Sequence, residues 1–192
     1  MSTVKKAEST PIGVEQAEWF VMRDFKRSNA SQRAYSMLQD LGFEVFTPMQ
    51  RRTIKKYGMT MDVRMPAIPD ILFVHSLRAP LDEIVKSTYT LTYRYAKGGD
   101  FEHPMYVCKR DMERFIKVVE AVDNPVYYMP HEINPRMFGR NIQIIGGPLN
   151  GQEVTLIKSQ GSKHKRFVVQ LPTLLMATAV LDPEDMPYVI LR

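Results

Sequence analysis

Runs of apolar residues with the length of a β-strand recur along the first half of the chain. Residues 17–22 are rich in aromatic side chains, residues 43–46 form a second run, and residues 88–95 alternate in the manner of a strand. Residues 71–74 read Ile-Leu-Phe-Val, without a polar position. An uninterrupted apolar run of this length predicts a central strand buried on both faces of a sheet.

Two amphipathic helices are predicted between these strands. Each has apolar residues at positions i, i+3, i+4 and i+7, which share one face of a helix. A shorter helix is predicted for residues 80–86, where Pro80 suits the first turn. Elements in this order predict an α+β sandwich with helices on an antiparallel sheet. The two apolar faces consist of Ala34, Met37, Leu38 and Leu41, and of Met112, Phe115, Ile116 and Val119.

Residues 50–66 differ from the rest of this region because they are basic and alternate only weakly. Tyr57 and Gly58 lie near the centre of the segment, where a turn would divide it into two arms. We therefore predict a hairpin or long loop that projects from the sheet.

The last part of the chain has only strand-like patterns. Short apolar runs at this spacing predict a small all-β barrel. The preceding segment contains three widely spaced prolines and no clear period, which is typical of a linker. The predicted organisation is a disordered arm at 1–14, an α+β domain at 15–123, a linker at 124–136 and a β-barrel domain at 137–192. The barrel strands are predicted at 142–145, 154–157, 167–171 and 174–179.

Composition places the chain among soluble globular proteins, with 44% hydrophobic and 24% charged residues. No apolar run is long enough to span a bilayer, and residues 1–15 lack the apolar core of a signal peptide. A single cysteine, Cys108, cannot form an internal disulfide. We therefore expect a cytoplasmic, monomeric protein without membrane association.

The net charge of +5 is spread evenly along the chain. Residues 15–130 contain 17 basic and 15 acidic side chains, and residues 137–192 contain 6 and 4. This surplus is too small to predict strong non-specific binding to DNA. Local clusters of basic residues are therefore better candidates for nucleic-acid contact than the overall charge.

Residues 138–157 contain a turn rich in glycine, proline and asparagine between two apolar runs. They closely resemble the KOW motif of the NusG family of transcription elongation factors. In that motif a strand leads into Gly-Pro, an apolar residue, Gly-x-Glu and a second strand. Val154 stands where the family usually has a further glycine. The residues that carry the match are Gly147, Pro148, Leu149, Gly151 and Glu153.

The first domain resembles the same family. NusG-type N-terminal (NGN) domains open with Trp-aromatic-Val, which residues 19–21 match. They later contain a Pro-x-x-Pro-Gly-aromatic-x-Phe-Val segment, which is similar to residues 66–74, with Asp70 for the usual glycine and Ile71 for the usual tyrosine. These departures resemble specialised paralogues, in particular the UpxY-type antiterminators of bacterial surface-polysaccharide loci.

This resemblance implies a binding protein rather than a catalyst. The NGN-like domain would bind the clamp helices of RNA polymerase through an apolar patch, and the factor would reduce pausing or termination in particular operons. The alternative for Trp19 and Ile71 is that they belong to the core. By position, the polymerase-binding patch would consist of Trp19, Ile68, Pro69 and Ile71.

The resemblance also implies contact between basic residues and nucleic acid. In specialised relatives the region around the first helix meets the non-template DNA strand, and nascent leader RNA is a further candidate. Arginine and lysine there would contact phosphates. The alternative is a solvated helix face and, in the predicted hairpin, charges that maintain solubility. The candidates are Lys26, Arg27 and Arg33 near the first helix, and Arg51 and Arg52 in the hairpin.

The pattern does not favour an enzyme. None of the four histidines has a second ligand at a recognised spacing, and a single cysteine cannot build a structural zinc site. Gly98-Gly99 and Gly146-Gly147 lack the further glycines and the lysine of a phosphate-binding loop. We therefore expect no catalytic residue, metal or cofactor.

Two further functions remain open for a protein with this resemblance. One is a housekeeping NusG-type factor that couples polymerase to a termination factor, or to a ribosomal protein through the barrel. The other is a ribosomal-type KOW protein that binds folded RNA. The substitutions at Asp70 and Ile71 disfavour the first. The small basic surplus of residues 137–192 disfavours the second, because RNA-binding ribosomal proteins neutralise many phosphates.

Overall fold

The structure is a computed structural model. Several predicted features fall outside the residues that it describes, namely the arm at 1–14, Arg27, most of the linker at 124–136, and the turn residues Gly147 and Pro148. The described residues are 16–26, 32–96, 102–121, 125–128, 138–145, 149–158, 165–171, 175–179 and 188–190.

An antiparallel sheet with helices on both faces forms the first part of the fold. Its strands lie in the order β2-β5-β1-β6, and β7 also pairs with β1. This arrangement agrees with the predicted α+β class. The elements in chain order are β1 (Glu18–Asp24), α1 (Ala34–Asp40), β2 (Glu44–Phe46), β3 (Met49–Lys56), β4 (Met59–Pro66), β5 (Ile71–Ser76), α2 (Arg78–Ser87), β6 (Leu91–Tyr93), β7 (Tyr106–Val107) and α3 (Lys109–Glu120).

Two hydrophobic clusters cover the two faces of this sheet, because successive side chains of a strand point to opposite faces. One cluster contains α3, and the other contains α1 and α2. All four residues of the predicted central strand, 71–74, are buried, which confirms burial on both faces. The α3 cluster includes Trp19, Val21, Ile71, Phe73, Met112 and Phe115; the opposite cluster includes Phe20, Met22, Leu72, Val74, Ala34, Leu38 and Leu81.

Two local predictions differ from the structure. Leu41 was expected on the buried face of the first helix, but it is the C-terminal cap and is exposed, because the helix ends at Asp40. The strand expected at 88–95 covers only Leu91–Tyr93. The residues before it form a turn, in which the Leu91 N–H donates to the Thr88 carbonyl over 2.9 Å.

The predicted projecting hairpin is confirmed for residues 49–66. Strands β3 and β4 pair with each other in a separate two-stranded sheet, so they form a ribbon. Tyr57 and Gly58 make the turn with φ angles of 52° and 76°. Positive φ at both central residues is the geometry that matches the twist of a two-residue hairpin. Eight residues in each arm give a ribbon roughly 26 Å long.

The second part of the fold is a six-stranded antiparallel sheet. Its strands lie in the order β13-β9-β10-β11-β12-β8. Strand β8 falls within the segment that was predicted as a linker, 124–136, and it pairs with β12. Part of that segment therefore contributes an edge strand to the second sheet. The strands are β8 (Val126–Tyr128), β9 (Phe138–Ile144), β10 (Glu153–Lys158), β11 (Lys165–Leu171), β12 (Leu175–Ala179) and β13 (Tyr188–Ile190).

The two parts of the fold pack against each other. Helix α3 lies against β11 and β12 on one side and against β1 on the other. Tyr127 in β8 donates a hydrogen bond from its hydroxyl to the Met49 carbonyl at the base of the ribbon, over 3.2 Å. Burial raises the pKa of the Tyr127 hydroxyl above its ordinary value of 10.0. One face of α3 is buried between the two parts, and its exposed residues are Lys109, Arg110, Glu113, Lys117 and Glu120.

Candidate partner-binding surfaces

The four residues predicted to bind polymerase do not form one exposed patch. Trp19 is 3% exposed and Ile71 is 1% exposed, and both belong to the α3 cluster. Their burial agrees with the alternative that they are core residues. Ile68 is half-buried against the same cluster, and Pro69 is exposed. The accessible part of the predicted patch is therefore the loop at residues 67–70.

Trp19 and this loop lie at opposite ends of β1. Trp19 pairs with His75, whereas Asp24 donates its N–H to the Asp70 carbonyl over 3.1 Å. Five residues of extended strand separate the two ends by roughly 16 Å.

A cleft of about 390 Å³ gives access to Trp19. The Trp19 indole stacks on the His75 imidazole with 5.1 Å between ring centroids, and His75 Nδ1 lies 2.8 Å from Glu44 Oε2. Trp19 and Ile116 are the apolar part of the lining, and Glu44, His75 and charged side chains of α3 complete it. An apolar floor with a charged rim can accept one apolar side chain of a partner.

Two arginines hold the 67–70 loop against β1. Arg23 Nη2 pairs with Asp70 Oδ2 at 2.9 Å. Arg33 donates from Nη2 to the Pro69 carbonyl. Asp70, a departure from the pattern that residues 66–74 resemble, therefore attaches this loop to β1 through its side chain. The loop that presents Ile68 and Pro69 is thereby attached at both of its last two residues.

Arg33 faces the interior rather than a nucleic-acid strand. Its Nε lies 3.1 Å from Asp24 Oδ2, and its Nη1 donates to the Lys26 carbonyl over 3.2 Å. The Asp24 carboxylate also accepts N–H groups of Lys26 and Ala34, at 2.9 and 3.0 Å. Because these groups occupy the guanidinium and the carboxylate, the geometry favours a structural role for Arg33 over the predicted phosphate contact.

Lys26 lies beside this network with its side chain turned to the surface. Its Nζ donates to the Gln32 carbonyl over 3.2 Å, and the side chain is half-buried. The adjacent Phe25 is exposed, and the Arg23 guanidinium lies 5.0 Å from its ring centroid. Lys26 is therefore the one described member of the predicted cluster near α1 that is accessible to a ligand.

The ribbon of β3 and β4 presents Arg51 and Arg52 on opposite faces, and both are exposed. Arg51 lies directly across from Arg64, and Arg52 lies across from Val63. Like charges at directly opposed positions destabilise a strand pair. Arg51 and Arg64 therefore form a pair of like charges across the two strands of the ribbon.

The described residues of the KOW-like segment form the turn between β9 and β10. Leu149 is buried, Gly151 adopts a φ of 76°, and Glu153 begins β10 with an exposed side chain. The Gly151 N–H donates to the Ile144 carbonyl over 2.8 Å, which closes the turn. Val154, the departure from the family pattern, is buried, so it serves as a core residue of the second sheet.

A further charged surface lies on α3, where sequence patterning showed only the apolar face. Arg110, Arg114 and Lys117 follow one another at i, i+4 and i+7, the same spacing that marked the buried face of this helix. They line a cleft of about 350 Å³ together with Gly151 and Gln152 of the second part. The helical spacing of the three cations was visible in the sequence. The sequence did not show that the turn at Gly151 lies opposite them.

Metal binding and membrane crossing find no support in the described part of the chain. No group of three or more histidine, cysteine or acidic side chains there could hold a metal ion. Among the described helices, none is long and apolar enough to cross a membrane.

No model of a known protein family matches the chain, and no curated protein matches it with significant similarity. The motifs and the geometry are therefore the basis for any functional proposal.

Proposed function

We propose that this protein is an operon-specific transcription antitermination and elongation factor of the NusG type. It binds RNA polymerase through its first part and reduces pausing or termination. The barrel-like second part carries the KOW-like turn and is available for a further partner.

The observation that carries this proposal is the order of two family-like segments in one chain. Residues 66–74 lead into β5, the central strand of an antiparallel sheet with helices on both faces. Residues 147–153 precede and enter β10 in an all-β sheet. An NGN-like domain followed by a KOW-like turn is the arrangement that the family resemblance implies.

The charge distribution supports a protein-bound factor over a ribosomal RNA-binding protein. The exposed arginines of the ribbon are few, and the two described arginines near α1, Arg23 and Arg33, are engaged in ion pairs. Binding energy for nucleic acid from such a surface is small. Binding to polymerase would raise the local concentration of the protein beside the nucleic acid, which compensates for the weak attraction of these charges.

Two measurements test the proposal together. Affinity-tagged full-length protein should co-purify with RNA polymerase from its own cells at moderate salt. In a strain that lacks the gene, transcript mapping should show one long operon that loses its distal reads. Co-purification with ribosomal particles but not with polymerase would contradict the proposal, and uniform changes across all operons would indicate the housekeeping alternative.

A further inference from the structure

The cleft between α3 and the β9–β10 turn contains none of the residues predicted to bind polymerase or nucleic acid, and its Gly151 and Glu153 belong to the KOW-like turn. It has a volume of about 350 Å³, and its walls come from both parts of the fold. One wall is the exposed stripe of α3, and the other is the turn at Gly151 and Gln152. Gly151 has no Cβ, and a Cβ built there would meet nothing within 4 Å, so this wall is open.

Three cations form a row along the α3 wall. Arg110, Arg114 and Lys117 occupy successive turns of one helical face, opposite the apolar residues that pack on the sheet. At 1.5 Å of rise per residue the row is roughly 10 Å long. One phosphate group cannot contact all three, whereas a nucleic-acid strand presents successive phosphates along its length.

Arg114 at the centre of the row is half-buried. Its guanidinium makes no hydrogen bond or ion pair within the described residues. A guanidinium has five N–H donors, and partial removal from water without a partner is unfavourable. An anion in the cleft would supply the missing acceptors, and arginine is well suited to phosphate because it can donate two parallel bonds.

Two carboxylates also line the cleft and limit its charge. Glu113 lies 3.8 Å from Lys109, so its charge is partly neutralised by a cation outside the cleft. Glu153 is exposed at the opposite wall. The cations outnumber the carboxylates, and Glu153 is the acidic group that would oppose a bound polyanion.

We propose that this cleft binds the phosphate backbone of a single nucleic-acid strand. A cleft of about 350 Å³ is too small to enclose a duplex, so the proposed ligand is a single strand. Arg110, Arg114 and Lys117 contact successive phosphates, and the open turn at Gly151 lets the strand pass. The strand is RNA or single-stranded DNA, since the phosphates are common to both.

The test is fluorescence anisotropy of short labelled single strands, one RNA and one DNA of the same sequence, with the full-length protein. Arg114→Gln should weaken binding of both about tenfold, because it removes charged hydrogen bonds. The slope of log affinity against log salt should fall by roughly 0.7 for each cation removed. Glu153→Gln should strengthen binding, which a merely structural role of the cleft would not produce.

The matched control is Lys86→Gln, which removes an exposed cation on α2 that pairs with Glu83. It should leave binding unchanged, and circular dichroism should show the same fold for all variants. Tighter binding of RNA than of DNA would indicate the transcript as the natural ligand; equal binding would indicate recognition of phosphates alone.

Failure of both strands to bind the wild-type protein would overturn the proposal. So would equal affinities of the wild type and an Arg110→Gln/Arg114→Gln variant, or competition by polyglutamate as effective as that by RNA. These measurements use the isolated protein without polymerase, so their outcome is independent of the polymerase co-purification that tests the proposed function.

Discussion

The guanidinium of Arg33 and the carboxylate of Asp24 form an ion pair inside the first part of the fold, with 3.1 Å between Nε and Oδ2. Their side chains are 10% and 3% exposed. Asp24 ends β1, and Arg33 immediately precedes α1, so the pair fixes where the helix begins relative to the sheet. The Asp24 carboxylate also accepts the first N–H of that helix, at Ala34, in the place of a local cap.

Removal of one partner of the buried Arg33–Asp24 pair should therefore lower the free energy of unfolding much more than disruption of an exposed ion pair. We expect Asp24→Ala to lower the free energy of unfolding by about 3 kcal/mol, because it leaves a buried guanidinium unpaired. Asp70→Ala is the control, since Arg23 and Asp70 are 43% and 40% exposed. It should cost less than about 1 kcal/mol. Urea denaturation measures both values, and equal losses would contradict the structural role of the buried pair.

The 67–70 loop offers a cleaner test of polymerase binding than the buried residues do. Pro69→Asp places a charge at an exposed position, so polymerase co-purification should decrease while the unfolding midpoint stays the same. Ile71→Asp should instead destabilise the fold by about 3 kcal/mol or more, because it buries a charge in the core.

The control for the loop variant is Leu41→Asp, which makes the same change at another exposed apolar residue of the first part. It should leave polymerase binding intact. Undiminished co-purification of Pro69→Asp would exclude this loop from the polymerase contact.

The ribbon allows stability and nucleic-acid contact to be separated. Arg51→Glu replaces a like-charge pair with Arg64 by an opposite-charge pair across the two strands. It should raise the free energy of unfolding by about 0.2–1 kcal/mol and weaken any contact with DNA. Arg52→Glu lies opposite Val63 and should lack the stabilising effect. Thermal denaturation and binding to a bubble-containing DNA duplex distinguish these outcomes; a stabilised variant with unchanged DNA affinity would indicate that the charges serve solubility.

The burial of the Tyr127 hydroxyl predicts a loss of folding stability at alkaline pH. Its pKa is raised by burial, as is that of Tyr93, which also donates to Asp82 over 2.7 Å. The unfolded chain releases these protons near pH 10, whereas the folded protein retains them. Stability is therefore fully present below about pH 10 and falls as the pH rises further.

Tyr127→Phe should flatten this decline without abolishing it, because Tyr93 still contributes. It should also lower stability at neutral pH by about 1 kcal/mol, since the hydrogen bond to the Met49 carbonyl is lost. Urea denaturation at neutral and at alkaline pH measures both effects. An unchanged pH dependence would show that Tyr127 ionises in the folded protein as it does in the unfolded chain.

Local patterns in the sequence were sufficient for much of the secondary structure. The run at 71–74 is buried on both faces, the segment at 49–66 is a hairpin, and the apolar spacing that starts at Met112 marks the buried face of α3. Periods of two and of 3.6 residues arise from the geometry of the backbone itself, so they can be identified without knowledge of the fold. Gly58 and Gly151 likewise follow from local turn chemistry, since both adopt positive φ.

The tertiary structure alone decided which charged and aromatic residues are accessible. Arg33 and Arg51 have the same side chain, yet one is enclosed by Asp24 and the Pro69 carbonyl and the other faces solvent. Trp19 is buried because α3 packs on its strand from far along the chain, and the same helix faces the turn at Gly151. The sequence by itself determined which faces are apolar. Exposure depends on partners distant in sequence, so only the packed structure could assign it.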